Sequence, residues 1–139
     1  MYEKTETFFN AIFEALPSMI IVVDADVRIK EYNKAAGKLI TANKKTAFNM
    51  RFGEILHCVH SKEVPWGCGK SEYCKLCIVR NSVSQAITTN LAVSGNAVIE
   101  MERNQADTDV LIMFNAVPFS YENKAHALLI IDEVKELIS

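Results

Sequence analysis

Cysteine is missing from most of this 139-residue sequence: residues 1–57 and 78–139 contain none. All four cysteines lie in one stretch, CVHSKEVPWGCGKSEYCKLC, at positions 58–77. Glycine and proline are also scarce, at five and three residues, and no linker rich in these residues divides the chain. A chain of this length without such a boundary predicts a single domain over residues 1–139.

Other absences exclude whole classes of function. The longest apolar runs, such as MIIVV and ALLII, are far shorter than the roughly 20 residues of a membrane helix, and no secretory signal is visible. The net charge is −2 and no run of lysine and arginine occurs, which argues against a nucleic-acid partner. We therefore expect a cytoplasmic chain without membrane contact.

Catalytic motifs are absent as well. The sequence has no glycine-rich phosphate loop, no H-E-x-x-H and no G-x-S-x-G elbow. We therefore expect that this chain is not an enzyme, and that any kinase or other output activity lies outside it.

The hydrophobic pattern predicts an α+β domain. Apolar residues at helical spacing predict an N-terminal helix over residues 1–16, and MIIVVD with VRIKEY predicts a hairpin. Short helical turns follow, then a longer helix from Ile78, then three strands in NAVIEMER, DVLIMFNAVPFSYE and KAHALLIIDEV. Residues 132–139 predict the start of an exit helix. This order predicts a five-stranded antiparallel sheet with helices packed on one face.

The order of the predicted elements and several local sequences resemble a PAS domain, the sensory box of bacterial and archaeal signalling proteins, over nearly the whole chain. FEALPSMIIVVDADVRIKEYNKAAGKLI is similar to the start of that family, and FNAVPFSYENKAHALLIIDEVKEL to its end. The resemblance implies a PAS-like sensory module within a sensor histidine kinase of a two-component system or another regulator, with a downstream output domain. Asp132 matches the aspartate of an Asp-x-Thr-like output motif, although Val134 stands where that motif has threonine.

The cysteine spacing is C-x9-C-x5-C-x2-C, at Cys58, Cys68, Cys74 and Cys77. Four thiolates within reach of one another suit tetrahedral Zn²⁺ or an iron–sulfur cluster. CKLCI lacks the histidine of a haem c attachment motif, so we expect no haem c. The string GCGxxxxCxxC also resembles a cysteine-rich insertion in some sensor PAS domains. The alternatives are one or two disulfides, a redox thiol switch, or four thiols without a shared role.

Two rival functions remain open at the level of sequence. In the first, the core of the domain binds a small organic ligand and the cysteines hold structural Zn²⁺ or form disulfides. The candidate lining residues are Asn33, Phe48, Phe52, Arg80, Asn81, Met113 and Asn115. In the second, the chain is a thiol-dependent enzyme in which Cys74 or Cys77 acts as the nucleophile or as part of a redox dithiol.

The terminal segments predict how the chain associates. Apolar residues of both ends, Phe8, Phe9, Phe13, Leu137 and Ile138, would be exposed on an isolated monomer. Exposed apolar helix faces favour association, so we expect a homodimer through the terminal helices.

Overall fold

The computed structural model describes residues 5–40, 43–55, 77–103 and 106–137. Within them the strands are β1 (Met19–Asp24), β2 (Ile29–Tyr32), β3 (Val93–Arg103), β4 (Ala106–Tyr121) and β5 (Lys124–Glu136). The helical segments are α1 (Thr5–Ala15), the 3₁₀ helix η1 (Ala35–Lys38), α2 (Lys44–Ala47), α3 (Phe52–Ile55) and α4 (Ile78–Thr89).

The strands of the described residues form one antiparallel sheet in the order β2-β1-β5-β4-β3. The first and last strands of the chain therefore meet at its centre, where Met19 pairs with Ile131 and Asp24 with His126. The predicted fold class, an α+β domain with a five-stranded antiparallel sheet, is confirmed.

The core lies between the sheet and the helical segments, of which α4 is the longest. Because side chains alternate across a strand, every second residue from Val110 to Ala116 of β4 is buried, as Ile112 and Phe114 are. Helix α4 contributes Val79, Val83 and Ala86, at the spacing that places three side chains on one helical face. The predicted long helix after the cysteines is thus confirmed as the helix that covers the sheet.

The end of the chain departs from the prediction. Strand β5 continues to Glu136, so the exit helix predicted from residue 132 is wrong for the described residues. In the pairing with β4, Phe114 faces Ile131 and Met113 faces Glu133, which leaves Asp132 as the extra residue of a β-bulge. The bulge shifts the alternation by one residue and returns Val134 to the core, where it packs.

A tight turn joins β1 to β2. It carries Asp26, whose carboxylate points toward the helices and contacts Arg51 and Arg80. The Asp24 Oδ1 atom accepts hydrogen bonds from the backbone N–H groups of Asp26 (2.9 Å) and Arg28 (3.0 Å). Val27 closes the turn with φ 52°, a left-handed conformation that is uncommon for a β-branched residue. Its carbonyl accepts from the N–H of Phe52 at 2.9 Å, and its side chain is buried. The turn is therefore fixed against the start of α3.

Candidate functional site

Cys77 is the member of the predicted four-cysteine site that the structure describes. It occupies the N-cap position of α4, and its carbonyl accepts a hydrogen bond from the Asn81 N–H at 3.0 Å. Its side chain is half-buried and packs against the hydrophobic core. The long helix predicted from Ile78 is confirmed, and Cys77 directly precedes it. Cys58, Cys68 and Cys74 lie outside the described residues.

A group of charged side chains lies next to this helix start, and we call it the Asp26 cluster: Asp26, Arg28, Arg51 and Arg80. Arg80, in the first turn of α4, donates from Nη1 to Asp26 Oδ1 at 2.9 Å. Arg51, directly before α3, donates from Nε to Asp26 Oδ2 at 2.8 Å. The Nε atom of Arg28 lies 3.4 Å from the same Oδ2. One carboxylate thus contacts three guanidinium groups that belong to different elements.

The electrostatics of the cluster favour the ionised carboxylate. Partial burial of Asp26 raises its pKa, but the hydrogen bonds and positive charges of Arg80 and Arg51 outweigh that effect and hold the pKa below its usual value. The side chains of Arg51 and Arg80 are only 12% and 19% exposed. Their contacts with Asp26 are therefore better shielded from water than those of an ordinary surface ion pair.

The segment that precedes α3 is also held by its backbone. Ile29 of β2 donates its N–H to the Met50 carbonyl at 2.8 Å and accepts from the Asn49 N–H at 2.8 Å. The Nη1 atom of Arg28 donates to the Asn49 carbonyl at 2.8 Å. Residues 49–51 therefore follow the free edge of β2 and carry Arg51 to the Asp26 cluster.

Asn33, a predicted pocket residue, has a structural role instead. Its Oδ1 accepts from the N–H groups of Ile20 (3.0 Å) and Ala36 (3.1 Å). Its Nδ2 donates to the carbonyls of Ser18 (2.8 Å) and Leu16 (3.5 Å). These four contacts use the full hydrogen-bonding capacity of the fully buried amide, so none remains for a ligand.

The other predicted pocket residues do not converge on one cavity. Phe52 is buried in the core, whereas Asn81 is exposed on α4. Met113 and Asn115 alternate with the buried residues of β4 and therefore lie on the opposite face of the sheet. There Asn115 donates to Asp132, the predicted output residue, from Nδ2 to Oδ2 at 3.1 Å.

Phe48 contributes to a groove on the surface rather than to the core. The groove encloses about 340 Å³ between β2 and α2, and its lining includes Ile29, Tyr32 and the half-exposed Phe48 ring. The Nζ atoms of Lys30 and Lys44 each lie 5.2 Å from an aromatic centroid, over Phe48 and Tyr32 respectively.

Sequence reasoning named Arg80 but missed Asp26 and Arg51. The Asp26–Arg80 and Asp26–Arg51 pairs are separated by 54 and 25 positions, so no local spacing connects them. The available signal was weaker: Asp26 lies in the turn of the predicted hairpin, and Arg51 directly precedes the candidate lining residue Phe52.

Comparison with known proteins agrees with this architecture. Residues 7–63 match the family model of the PAS domain. The PAS domain of a two-component sensor histidine kinase aligns with 99% of this chain and 100% of its own, at 9% identity and a TM-score of 0.61. The PAS domain of an HTR-like protein from Haloarcula marismortui aligns over 98% and 94%, at 17% identity and a TM-score of 0.57.

A third similar structure is the PAS domain of nitrogen regulation protein NR(II) from Vibrio parahaemolyticus, which aligns over 92% and 96% at 11% identity and a TM-score of 0.58. The fold is therefore that of a PAS domain, and the resemblance seen in the sequence is confirmed at that level. A search of curated proteins found no significant match. Among the helices of the described residues, none combines the length and apolar character that a membrane span requires.

Proposed function

We propose that this chain is the sensory module of a signal-transduction protein and that its four-cysteine segment, residues 58–77, is the sensing centre. The observation that carries the proposal is the position of Cys77 at the N-cap of α4. A change in the bonding of this sulfur acts directly on the helix that covers the sheet. The PAS fold and its similarity to sensor-kinase PAS domains support the sensory assignment.

The chemistry of the centre follows from its donors. We infer that the thiolates of Cys58, Cys68, Cys74 and Cys77 hold Zn²⁺ or an iron–sulfur cluster. An iron–sulfur cluster would make the centre sensitive to redox conditions, whereas a four-thiolate zinc site is redox-inert and has a structural role. A dithiol switch is the metal-free version of the same sensing function.

We infer that the signal leaves through the chain termini. Helix α4 packs on the inner face of the sheet, and the bulge at Asp132 lies on the outer face, bonded to Asn115. At the N-terminal end, α1 exposes Phe8 and Phe9 to about 60%. These termini are the proposed contacts for a homodimer and for the output domain, and any kinase activity belongs to that other domain.

The rival function, a small organic ligand in the core, has less support. Asn33 is committed to backbone contacts, and Met113 and Asn115 lie on the other face of the sheet. Arg80 is engaged by Asp26. We therefore retain the cysteine segment as the proposed sensing centre, and we assign no thiol-dependent catalysis to this chain.

The test is metal analysis combined with an absorption spectrum of anaerobically purified protein. Broad visible absorption with iron and sulfide supports the cluster, and a colourless protein with one zinc per chain supports the zinc site. A Cys74→Ser/Cys77→Ser variant should lose the metal. His60→Ala, which changes a histidine two positions after Cys58 but none of the four thiols, should keep it. A metal-free protein with four titratable thiols that do not form disulfides on oxidation would refute the proposal.

A further inference from the structure

One carboxylate, that of Asp26, contacts both of the described segments that flank the cysteines. Asp26 binds Arg51, which directly precedes α3, and Arg80, which lies in the first turn of α4. All four cysteines lie between these two arginines in the sequence. We propose that Asp26 is a positioning residue that fixes the start of α4 relative to α3 and thereby sets the separation of the two ends of the cysteine segment. This inference rests on the proposed function of that segment.

The two flanks are held in different ways. The flank before the cysteines is bonded to the β1–β2 hairpin through its backbone, at Ile29, Asn49 and Met50. The flank after them, the start of α4, packs on the core through Val79, and its Arg80 side chain reaches the same hairpin through Asp26. The guanidinium group of Arg80 also contacts the Asp26 carbonyl, from Nη2 at 3.4 Å. Asp26 is thus the point at which both flanks meet one rigid turn.

This geometry bears on binding because a site whose ligands come from one chain segment requires the ends of that segment to come together. Fixed ends remove part of the conformational entropy that binding otherwise has to offset. Loss of the Asp26 carboxylate leaves the mostly buried guanidinium groups of Arg51 and Arg80 without their shared counter-charge. The start of α4 and the segment before α3 then lose the carboxylate that contacts both of them.

The variant Asp26→Asn tests the proposal, with Glu54→Gln as its matched control. Glu54 lies 3.6 Å from Arg51 Nη1, so that the control also removes one carboxylate near Arg51 but leaves the link between the flanks intact. Arg80→Gln removes the contact between Asp26 and α4 by changing the residue on α4. It replaces Asp26→Asn as the test variant if Asp26→Asn does not fold. The folded state of each variant is verified by its unfolding transition.

The first readout is zinc affinity, measured by competition with a chromophoric chelator. We expect Asp26→Asn and Arg80→Gln to weaken zinc binding about five- to tenfold, and Glu54→Gln to stay within about twofold. The second readout does not need a metal: it is the rate at which a bulky thiol reagent labels Cys77 in a background where Cys58, Cys68 and Cys74 are serine. Because Cys77 is half-buried at the helix start, opening of that start should raise the labelling rate about fivefold in Asp26→Asn.

The two readouts separate the two claims. If the wild type binds no zinc but the labelling rate rises as expected, the positioning role stands and a zinc-binding centre is ruled out. If Asp26→Asn and Arg80→Gln behave like Glu54→Gln in the labelling rate, the positioning role is overturned, whatever the zinc affinity.

Discussion

At the scale of single residues, Asn33 connects three parts of the chain. Its amide bonds to the end of α1, to the start of β1 and to η1 through four backbone groups. Its contact with Ala36 spans only three positions, at the start of η1. Its contacts with Leu16, Ser18 and Ile20 span 13 to 17 positions and could not be read from local pattern.

Replacement of Asn33 by alanine should lower the unfolding free energy by about 2–4 kcal/mol, because buried N–H and C=O groups lose their partners. The measurement is urea denaturation followed by circular dichroism. Asn96→Ala, at an exposed position of β3, is the control and should change stability by less than about 0.5 kcal/mol. Equal effects of the two substitutions would contradict the role assigned to Asn33.

The pKa of Asp26 predicts a pH dependence of stability. Because its folded-state pKa lies below the usual 3.8, the ionised carboxylate stabilises the fold above that pH, and the stabilisation is lost as the pH falls through the folded-state pKa. The wild type should therefore be more stable than Asp26→Asn at pH 7, with a difference that shrinks below about pH 4. Denaturation curves from pH 3 to pH 7 measure it. A difference that grows on acidification would contradict this account.

At the scale of elements, the strands and the long helix followed from hydrophobic periodicity, but the faces of β4 and the end of β5 did not. Val110 to Ala116 are apolar at every position except Asn115, so the sequence alone does not show which of them face α4. The alternating burial of β4 places Met113 and Asn115 on the face away from α4. Residues 132–137 resemble a helix in sequence because the bulge at Asp132 interrupts the two-residue period. Pairing with distant β4 residues, rather than local propensity, keeps this segment extended.

The extended conformation at the end of β5 can be tested by substituting neighbouring residues that lie on opposite faces of the strand. Val134 pairs with Ile112 and packs on the core, whereas its neighbour Lys135 is exposed. Val134→Asp should therefore cost about 1–3 kcal/mol of unfolding free energy, because it places a charge against apolar side chains. Lys135→Asp should cost far less. Similar losses from the two substitutions, measured by thermal or chemical unfolding, would indicate that this segment does not pack as a strand.

At the scale of the whole molecule, α1 presents an apolar surface that its own domain does not cover. Phe8, Phe9 and Ile12 are 61%, 59% and 42% exposed, and Leu16 continues the same face. Exposed apolar residues on adjacent helical turns are typical of an interaction surface. The homodimer predicted through the terminal helices therefore remains a proposal, with a defined patch on α1. The described C-terminal residues form strand β5 up to Glu136, and Ile138 lies outside the described residues.

The variant Phe8→Ser/Phe9→Ser should weaken self-association at least about tenfold without lowering the stability of the monomer, because these rings lie on its surface. Sedimentation velocity over a concentration series measures the association. Phe48→Ser is the matched control, since Phe48 is 53% exposed but belongs to neither α1 nor β5. If the wild type, Phe8→Ser/Phe9→Ser and Phe48→Ser associate equally, either the dimer contact lies elsewhere or the chain does not dimerise.

The central claim is that the cysteine segment acts on the fold through α4, and hydrogen exchange of the backbone amides tests it most directly. Exchange is compared between protein with its native centre and protein from which the centre has been removed by chelation or, for a thiol switch, between reduced and oxidised protein. The account predicts faster exchange on loss of the centre in the first turn of α4, including the Asn81 N–H that donates to Cys77, with little change in the β3–β4 pairing. Identical exchange of residues 78–89 in the two states would contradict it.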